Sequence, residues 1–222
     1  MTSCMAADGN PYTCTYARGW RLGEYLVKMP RHSIGFGRMT GLRTILAMLA
    51  ALAGLLLGAS PAAAERLVSP ALPGFVVGHE AANEQQSLRE EVPSGETVQD
   101  WTRMVTTQRF GGAASRLTPT GFLEVITRNL MAACPGAQAS RVLTGTRGGH
   151  PSAQIRAFCP LLAQSGKPEA FIMLAITGDS DLHVKQVAFR RVPTDDDIQW
   201  GEEVLAAVAF CETGQADDAC RR

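Results

Sequence analysis

An apolar run in the first third of the chain, Met39–Ala64, most constrains what the remainder can fold into. Arg43 supplies a positive charge, residues 44–59 carry no charge and are dominated by Leu and Ala, and the run ends in three alanines. This order predicts a secretory signal peptide that is cleaved after Ala64. The competing interpretation is a membrane anchor, but a spanning helix needs about 20 apolar residues, and this run has 16. We therefore expect no stable membrane anchor after cleavage.

The segment that precedes Met39 is unusual, because a signal peptide normally begins close to the initiating methionine. Met39 lies four residues before Arg43, where an initiator is expected. We therefore interpret residues 1–38 as an upstream artefact or a disordered leader. An extended basic leader is the alternative, because the segment contains Arg18, Arg21, Lys28, Arg31 and Arg38.

Residues 65–222 form the predicted mature part, and their number, 158, suits a single domain. This part carries 15 Lys and Arg against 19 Asp and Glu, a net charge of −4, whereas the whole chain is neutral. A mildly acidic domain lacks the basic footprint that nucleic-acid binding requires. The same charge balance argues against binding an anionic membrane surface. The remaining partners are an unknown protein or a small ligand in the cell envelope.

Four cysteines lie in the mature part: Cys134, Cys159, Cys211 and Cys220. An even number in an exported chain predicts two disulfides, for which three connectivities are possible. We favour Cys134–Cys159 and Cys211–Cys220, because both pairs are local in sequence. The alternative is a metal site, but the spacing C-x-x-C that is typical of zinc is absent. A catalytic thiol is less expected in an oxidising compartment.

Seven short segments are alternating or β-branched and are bounded by turn residues, which predicts strands. In chain order they are Phe75–His79, Gln86–Val92, Thr102–Phe110, Arg141–Thr146, Ala153–Phe158, Ala170–Thr177 and Leu182–Arg190. The segment Phe171–Ile176 is apolar on both faces, so we expect a central strand that is covered on each side. Gly178–Asp181 predicts the hairpin turn between the last two strands. Glu96–Trp101 predicts a short helical turn.

The first predicted helix has both a start and a stop signal. Thr118 can act as the N-cap, Pro119 suits the first turn, and Pro135-Gly136 ends the helix just after Cys134. Its apolar stripe consists of Phe122, Leu123, Ile126 and Leu130. This spacing predicts one buried helix face.

The second predicted helix begins after Thr194 as N-cap and is expected to end at Cys211. Its first turn carries three acids, Asp195–Asp197, which suit the positive end of the helix dipole. Its buried stripe is formed by Ile198, Gly201, Leu205 and Val208. The three acids could also bind calcium, but consecutive helix residues point in different directions. We therefore interpret them as a solvated cap, with the tail to Cys220 folding back under the second disulfide.

The element order is β-β-β-α-β-β-β-β-α, which predicts an α+β fold: an antiparallel sheet of about six or seven strands with two main helices packed on it. Together with the size, the exported context and the stretch Gly95–Thr102 (GETVQDWT), this order resembles the Mog1/PsbP-like sandwich of small exported bacterial proteins. The resemblance covers most of residues 70–212 and rests on element order. It implies a non-catalytic accessory or binding role and carries no functional residue across.

The histidines and acids of the mature part include two candidate sites of chemistry. Asp179, Asp181 and His183 would share a face on a continuous strand and could ligate a metal, but Gly178–Asp181 fits a hairpin turn, so we predict no metal and no cofactor. His150 and Ser152 also lie two residues apart. No nucleophile elbow or acid partner accompanies them, so we predict no catalytic residue.

Trp101 is the most interesting aromatic residue, because Arg103 and Arg109 lie nearby in sequence and could form an aromatic-plus-cation binding surface with it. The alternative is a buried or half-buried Trp101 that anchors the sheet. Trp200 is similarly ambiguous at the edge of the second helix stripe.

Two classes of function follow. The first is an exported, periplasmic or secreted binding or accessory module that works by contact and is not an enzyme. The alternatives are a small exported hydrolase with His150 as its base, or an inhibitor of a secreted enzyme. A binding module should show a concave or apolar patch, whereas an enzyme should show His150 or His183 in a cleft beside a second titratable residue.

Overall fold

The computed structural model describes residues 65–163, 165–212 and 218–221. All of them belong to the second of two units into which the chain divides, Ala63–Arg222. The predicted leader at 1–38 and signal peptide at 39–64 lie outside the described residues.

The described residues form ten strands and two helices. In chain order they are β1 Arg66–Val68, β2 Phe75–Ala82, β3 Gln86–Pro93, β4 Arg103–Phe110, α1 Pro119–Ala133, β5 Gln138–Ala139, β6 Leu143–Arg147, β7 His150–Leu162, β8 Lys167–Thr177, β9 Leu182–Phe189, α2 Asp195–Ala206 and β10 Ala209–Cys211. The seven predicted strands correspond to β2, β3, β4, β6, β7, β8 and β9. The three that were missed are two or three residues long, which is too short for a periodic pattern.

The main sheet has eight strands and every pairing in it is antiparallel. Its order is β2-β3-β4-β9-β8-β7-β5, and β6 also pairs with β7. A separate antiparallel ribbon joins β1 to β10, with Leu67 opposite Phe210. The predicted α+β class with two helices on an antiparallel sheet is therefore confirmed.

The two helices lie on opposite faces of the sheet. Helix α1 packs on β7 and β8, and α2 packs on β8 and β9. The α2 side contains a core cluster that includes Val105, Ile172, Leu174, Ile176, Val187, Phe189, Leu205 and Phe210. Every residue of Phe171–Ile176 is buried, because alternate side chains of β8 face the two layers. The prediction of a strand covered on both faces is confirmed.

Both helices begin where the sequence predicts. Thr118 Oγ1 accepts a hydrogen bond from the amide of Gly121 at 3.0 Å. Thr194 and Asp197 form a reciprocal capping box at the start of α2.

The predicted end of α2 at Cys211 is wrong, because the helix stops at Ala206. Arg147 of β6 donates hydrogen bonds to the carbonyl oxygens of Leu205, Ala206 and Val208, at 3.0 to 3.4 Å. The bond to the Ala206 carbonyl satisfies one of the groups that a helix end leaves without a partner. Residues 209–211 then leave the helix direction and pair with β1.

The predicted helical turn at Glu96–Trp101 is also wrong. The segment is a bend in which Thr97 Oγ1 accepts from the amides of Gln99 and Asp100. The Glu96 carboxylate accepts from the amide and hydroxyl of Thr102 at 2.6 and 2.7 Å. Side-chain acceptors thus replace the helical bonds of the backbone.

Both favoured disulfides are present, Cys134–Cys159 and Cys211–Cys220, with Cα–Cα distances of 5.9 and 5.6 Å. The first ties the end of α1 to β7, and the second ties β10 to the C-terminal tail. Within the ranges that the structure describes, neither helix has the length and hydropathy needed to span a membrane.

Candidate functional site

Polar groups converge at the end of the sheet where β8 turns into β9. Gly178–Asp181 forms the predicted hairpin turn, closed by a hydrogen bond of 2.9 Å from the Gly178 amide to the Asp181 carbonyl. The β1–β10 ribbon brings Glu65 and Phe210 to this turn, as their contacts below show. Residues from both ends of the domain therefore meet here.

Glu65 presents its carboxylate to the backbone of the turn. Oε1 accepts from the amides of Asp179 and Ser180 at 2.7 and 2.9 Å, and Oε2 accepts from the amide of Asp181 at 3.1 Å. A Cβ atom at Gly178 would collide with this carboxylate and would come 2.8 Å from the Phe210 ring. Glycine is therefore needed at this close approach.

His183 lies beneath the same carboxylate and is 2% exposed. Its Nε2 atom is 3.5 Å from Glu65 Oε2, which is too long for an ordinary hydrogen bond. Its ring meets Phe210 edge-on, with centroids 5.4 Å apart. Burial lowers the pKa of His183, and the carboxylates of Glu65 and Asp181 oppose that effect only in part. The imidazole is therefore neutral at neutral pH.

Asp181 completes this arrangement. Its Oδ2 accepts from Arg109 Nη1 at 2.8 Å, and its Oδ1 accepts from the amide of Gly112 at 2.9 Å. Burial acts to raise the pKa of Asp181, but the hydrogen bonds from Arg109 and Gly112 outweigh it and hold the pKa below its ordinary value. The carboxylate is therefore ionised at neutral pH.

Two sets of three side chains at this end each place a potential ligand atom within 4.8 Å of the others. The inner group is Glu65, Asp181 and His183, and the outer group is His150, Asp179 and Glu212. In the outer group His150 Nε2 lies 2.8 Å from Glu212 Oε1, and its ring contacts Phe210 with centroids 4.5 Å apart. Phe210 thus contacts a histidine of each group.

The trio that the sequence suggested, Asp179, Asp181 and His183, is divided between the two groups. Asp179 lies in the turn, so the alternation of a continuous strand does not apply to it. Asp181 and His183 do converge, as the spacing predicts. Sequence reasoning missed Glu65 and Glu212, which no local pattern could place because both reach the turn through the long-range β1–β10 pairing.

A second feature is a cleft of about 190 Å³ between α2, the β1–β2 connection and the sheet. Its lining consists of Pro70, Leu72, Lys185, Trp200, Val204 and Ala207 together with the polar Ser69 and Glu203. Lys185 is 3% exposed, donates to Thr107 Oγ1 at 2.7 Å and lies 3.9 Å from Glu91 Oε2. Burial lowers the pKa of Lys185, against the attraction of Glu91. The sequence did contain one indication of this buried lysine, which is its position within the largely apolar strand β9.

The three predicted binding residues do not lie together. Trp101 is 5% exposed, and the guanidinium of Arg190 stacks on it at 4.0 Å. Arg103 lies 4.8 Å from the Trp200 ring. Arg109 is six residues further along β4, about 20 Å away, where it binds Asp181. Their role in binding stays a prediction, and the geometry gives each of them a partner within the fold.

The remaining candidates are also located. Ser152 is buried opposite Gly145 of β6, and neither His150 nor His183 lines the cleft over Lys185.

The interpretation of the three helix acids as a solvated cap is wrong for Asp197, which is fully buried, whereas Asp195 is exposed. The Asp197 carboxylate forms ion pairs with Arg103 and Arg191.

No family model matches the chain, and no curated protein matches it. Among solved structures, it is similar to a PsbP protein (CyanoP) of the cyanobacterium Synechocystis at 10% identity and a TM-score of 0.46, with 69% of this chain and 96% of that chain covered. It is also similar to the Ran-binding protein Mog1p of Saccharomyces cerevisiae, at 9% identity and a TM-score of 0.43, with 67% of this chain and 95% of that chain covered. A third similar structure is LpqN of Mycobacterium tuberculosis, a protein involved in cell envelope biogenesis. Its identity is 11% and its TM-score is 0.37, with 68% of this chain and 86% of that chain covered. Two of these three carry the names of the group that the element order resembles, so the comparison agrees with that weak resemblance and goes no further.

Proposed function

We propose that residues 65–222 act as an exported, disulfide-bonded binding module that works by contact. Its ligand is a small molecule with an apolar body and an acidic head, held in the cleft over Lys185. The observation that carries this proposal is a buried lysine in the lining of a cleft whose other walls are mostly apolar.

The size and lining of the cleft define the ligand. An apolar cavity of about 150 Å³ is enough to bind benzene, so a cleft of about 190 Å³ suits a short aliphatic chain. Contact with Leu72, Trp200 and Val204 would remove that chain from water. A carboxylate would then meet the Lys185 ammonium and offset the cost of burying its charge.

The alternative of a hydrolase is favoured by one contact, the 2.8 Å approach of His150 to Glu212. That contact lies outside the cleft lining, and a base with an orienting acid still needs a nucleophile in reach. Inhibition of a secreted enzyme stays a prediction.

We expect hexanoate to bind more tightly than hexanol, by about tenfold or more, because a hydrogen bond to a charged group contributes more than 1.4 kcal/mol. In the variant Lys185→Met this preference should disappear. The measurement is the shift of the Trp200 indole signal in an NMR titration of the oxidised protein.

The matched control is Lys167→Met, because Lys167 is the other lysine of residues 65–222 and its side chain is 52% exposed beside Asp100. This variant should keep the preference for hexanoate. Equal affinity for the two ligands in the parent protein would contradict the proposed ligand class.

Export is tested on the whole chain expressed in an export-competent bacterial host. We expect the intact mass of the recovered protein to begin at Glu65 and to show no alkylatable thiol, because the leader is cleaved and all four cysteines are paired. The variant Ala64→Lys should retain its leader, since the peptidase requires a small residue there. A mass that includes residues 39–64 in the parent protein would refute the signal peptide.

A further inference from the structure

We propose that Glu65, Asp181 and His183 together bind a divalent cation of the Zn²⁺ class at the base of the β8–β9 turn. The site shares no residue with the cleft over Lys185, and it does not depend on the ligand proposed for that cleft.

The first observation is the state of His183. Its Nε2 atom is buried and has no hydrogen-bond partner among the residues that the structure describes. A buried polar atom that gives up water without gaining a partner costs free energy. An imidazole nitrogen is a common metal ligand in proteins. The atom lies 3.5 Å from Glu65 Oε2.

The second observation is the spacing of the three side chains. Two ligands that each lie about 2.0–2.1 Å from a tetrahedral Zn²⁺ stand about 3.4 Å apart. The separation of 3.5 Å between His183 Nε2 and Glu65 Oε2 matches that value, although it is long for a hydrogen bond. The Asp181 carboxylate supplies an atom within 4.8 Å of both. Small side-chain rotations would therefore complete a three-ligand site with one position open to water.

The carboxylates are already oriented for this role. Glu65 Oε1 accepts the amides of Asp179 and Ser180 and the Ser180 hydroxyl, whereas Glu65 Oε2 and Asp181 Oδ1 accept one backbone amide each. Each carboxylate oxygen has about two acceptor positions, so these two oxygens each keep one for a cation. Such hydrogen bonds to ligand residues fix the ligand geometry at metal sites. Glu65 also remains in the chain after the predicted cleavage, as its first residue.

The charge around the turn favours a cation. The inner group carries two carboxylates, and the outer group adds Asp179 and Glu212. Arg109 opposes this charge, because it binds Asp181 at 2.8 Å. The four carboxylates of the two groups outnumber this guanidinium. A bound cation would tie residue 65 to the hairpin at 181–183.

The test uses the oxidised protein recovered after export of the whole chain. Zn²⁺ is titrated in competition with a chromogenic chelator, and Co²⁺ is added separately to record the absorption of a tetrahedral site. We expect one Zn²⁺ per chain, and affinity at least about 100-fold lower in His183→Gln, because loss of a ligand should exceed the 10–100-fold effect of losing its supporting hydrogen bond. The near-isosteric Asp181→Asn should also weaken Zn²⁺ binding and alter the Co²⁺ spectrum.

The matched control is His150→Gln, which removes the histidine of the outer group and should leave Zn²⁺ affinity unchanged. Thermal unfolding without metal shows whether each variant is folded. Added Zn²⁺ should raise the unfolding temperature of the parent protein and of His150→Gln by the same amount, and that of Asp181→Asn by less. Absence of binding by the parent, unchanged affinity in both inner-group variants, or loss of affinity in His150→Gln alone would each overturn the proposal.

Discussion

Replacing Asp197 with Ala is expected to lower the free energy of unfolding by about 3 kcal/mol. The carboxylate is fully buried and accepts from Arg103 at 2.7 Å, from Arg191 at 2.7 and 3.1 Å, and from Thr194 at 3.0 and 3.1 Å. It therefore joins β4 and the β9–α2 connection to the start of α2. Removal of one partner from a buried ion pair costs about 3–5 kcal/mol. The lower figure applies because the arginine side chains are 34% and 44% exposed and can be hydrated.

The same carboxylate should make stability depend on pH in the acid range. Burial acts to raise the pKa of Asp197, but the hydrogen bonds from Arg191 and Thr194 outweigh it and lower the pKa from 3.8 to about 2. A depressed pKa in the folded state stabilises the fold above the ordinary pKa, and this stabilisation is lost as the pH falls towards the folded value. Asp197→Asn should therefore be less stable than the parent by about 2 kcal/mol at pH 6, with the difference vanishing near pH 2.

Urea unfolding of both proteins between pH 2 and pH 7 measures this difference directly. The control is Asp195→Asn, in the same helical turn but exposed, which should change stability by only about 0.5 kcal/mol. If Asp197→Asn and Asp195→Asn were equally stable at pH 6, Asp197 would have no special role at the junction of β4 and α2.

The parts of the fold that could be predicted are those with local causes. The N-caps Thr118 and Thr194, the turn at Gly178–Asp181 and the strand that is apolar on both faces all depend on residues a few positions apart. The disulfide pairing could be predicted for the same reason. A separation of 25 residues for Cys134–Cys159 spans only the end of α1, the two short strands β5 and β6, and the first ten residues of β7.

The parts that could not be predicted depend on residues that are distant in sequence. Strands β1 and β10 have three residues each, so the pairing that carries Glu65 to the turn leaves no periodic signal. Asp197 is buried against Arg103 of β4, which is 94 positions away in the sequence. In the sequence Asp197 is simply the last of three consecutive aspartates, so nothing local distinguishes it from Asp195 and Asp196. The candidate site therefore appears only when the two ends of the domain are brought together.

The second large effect concerns the disulfide between Cys134 and Cys159. Removing it with the double variant Cys134→Ala/Cys159→Ala should lower the free energy of unfolding by about 3 kcal/mol, because a loop of 25 residues is no longer closed in the unfolded state. The control Cys211→Ala/Cys220→Ala opens a loop of nine residues and should cost about 0.5–1 kcal/mol less. Urea unfolding at neutral pH compares the two. Equal stability of the parent and the first variant would contradict the prediction.

Helix α1 should be the element that responds first to this loss. Its sequence is weak as an isolated helix, since it contains Gly121, Val125, Ile126 and Thr127, and its terminal turns carry no charges that suit the helix dipole. It is held instead by packing on β7 and β8 and by the covalent tie at its C-terminal end. In the first variant we expect the amides of α1 to exchange hydrogen faster, while those of β8, buried on both sides, change no more than global stability requires. Uniform acceleration across α1 and β8 would show that the disulfide acts through global stability alone and does not hold α1 locally.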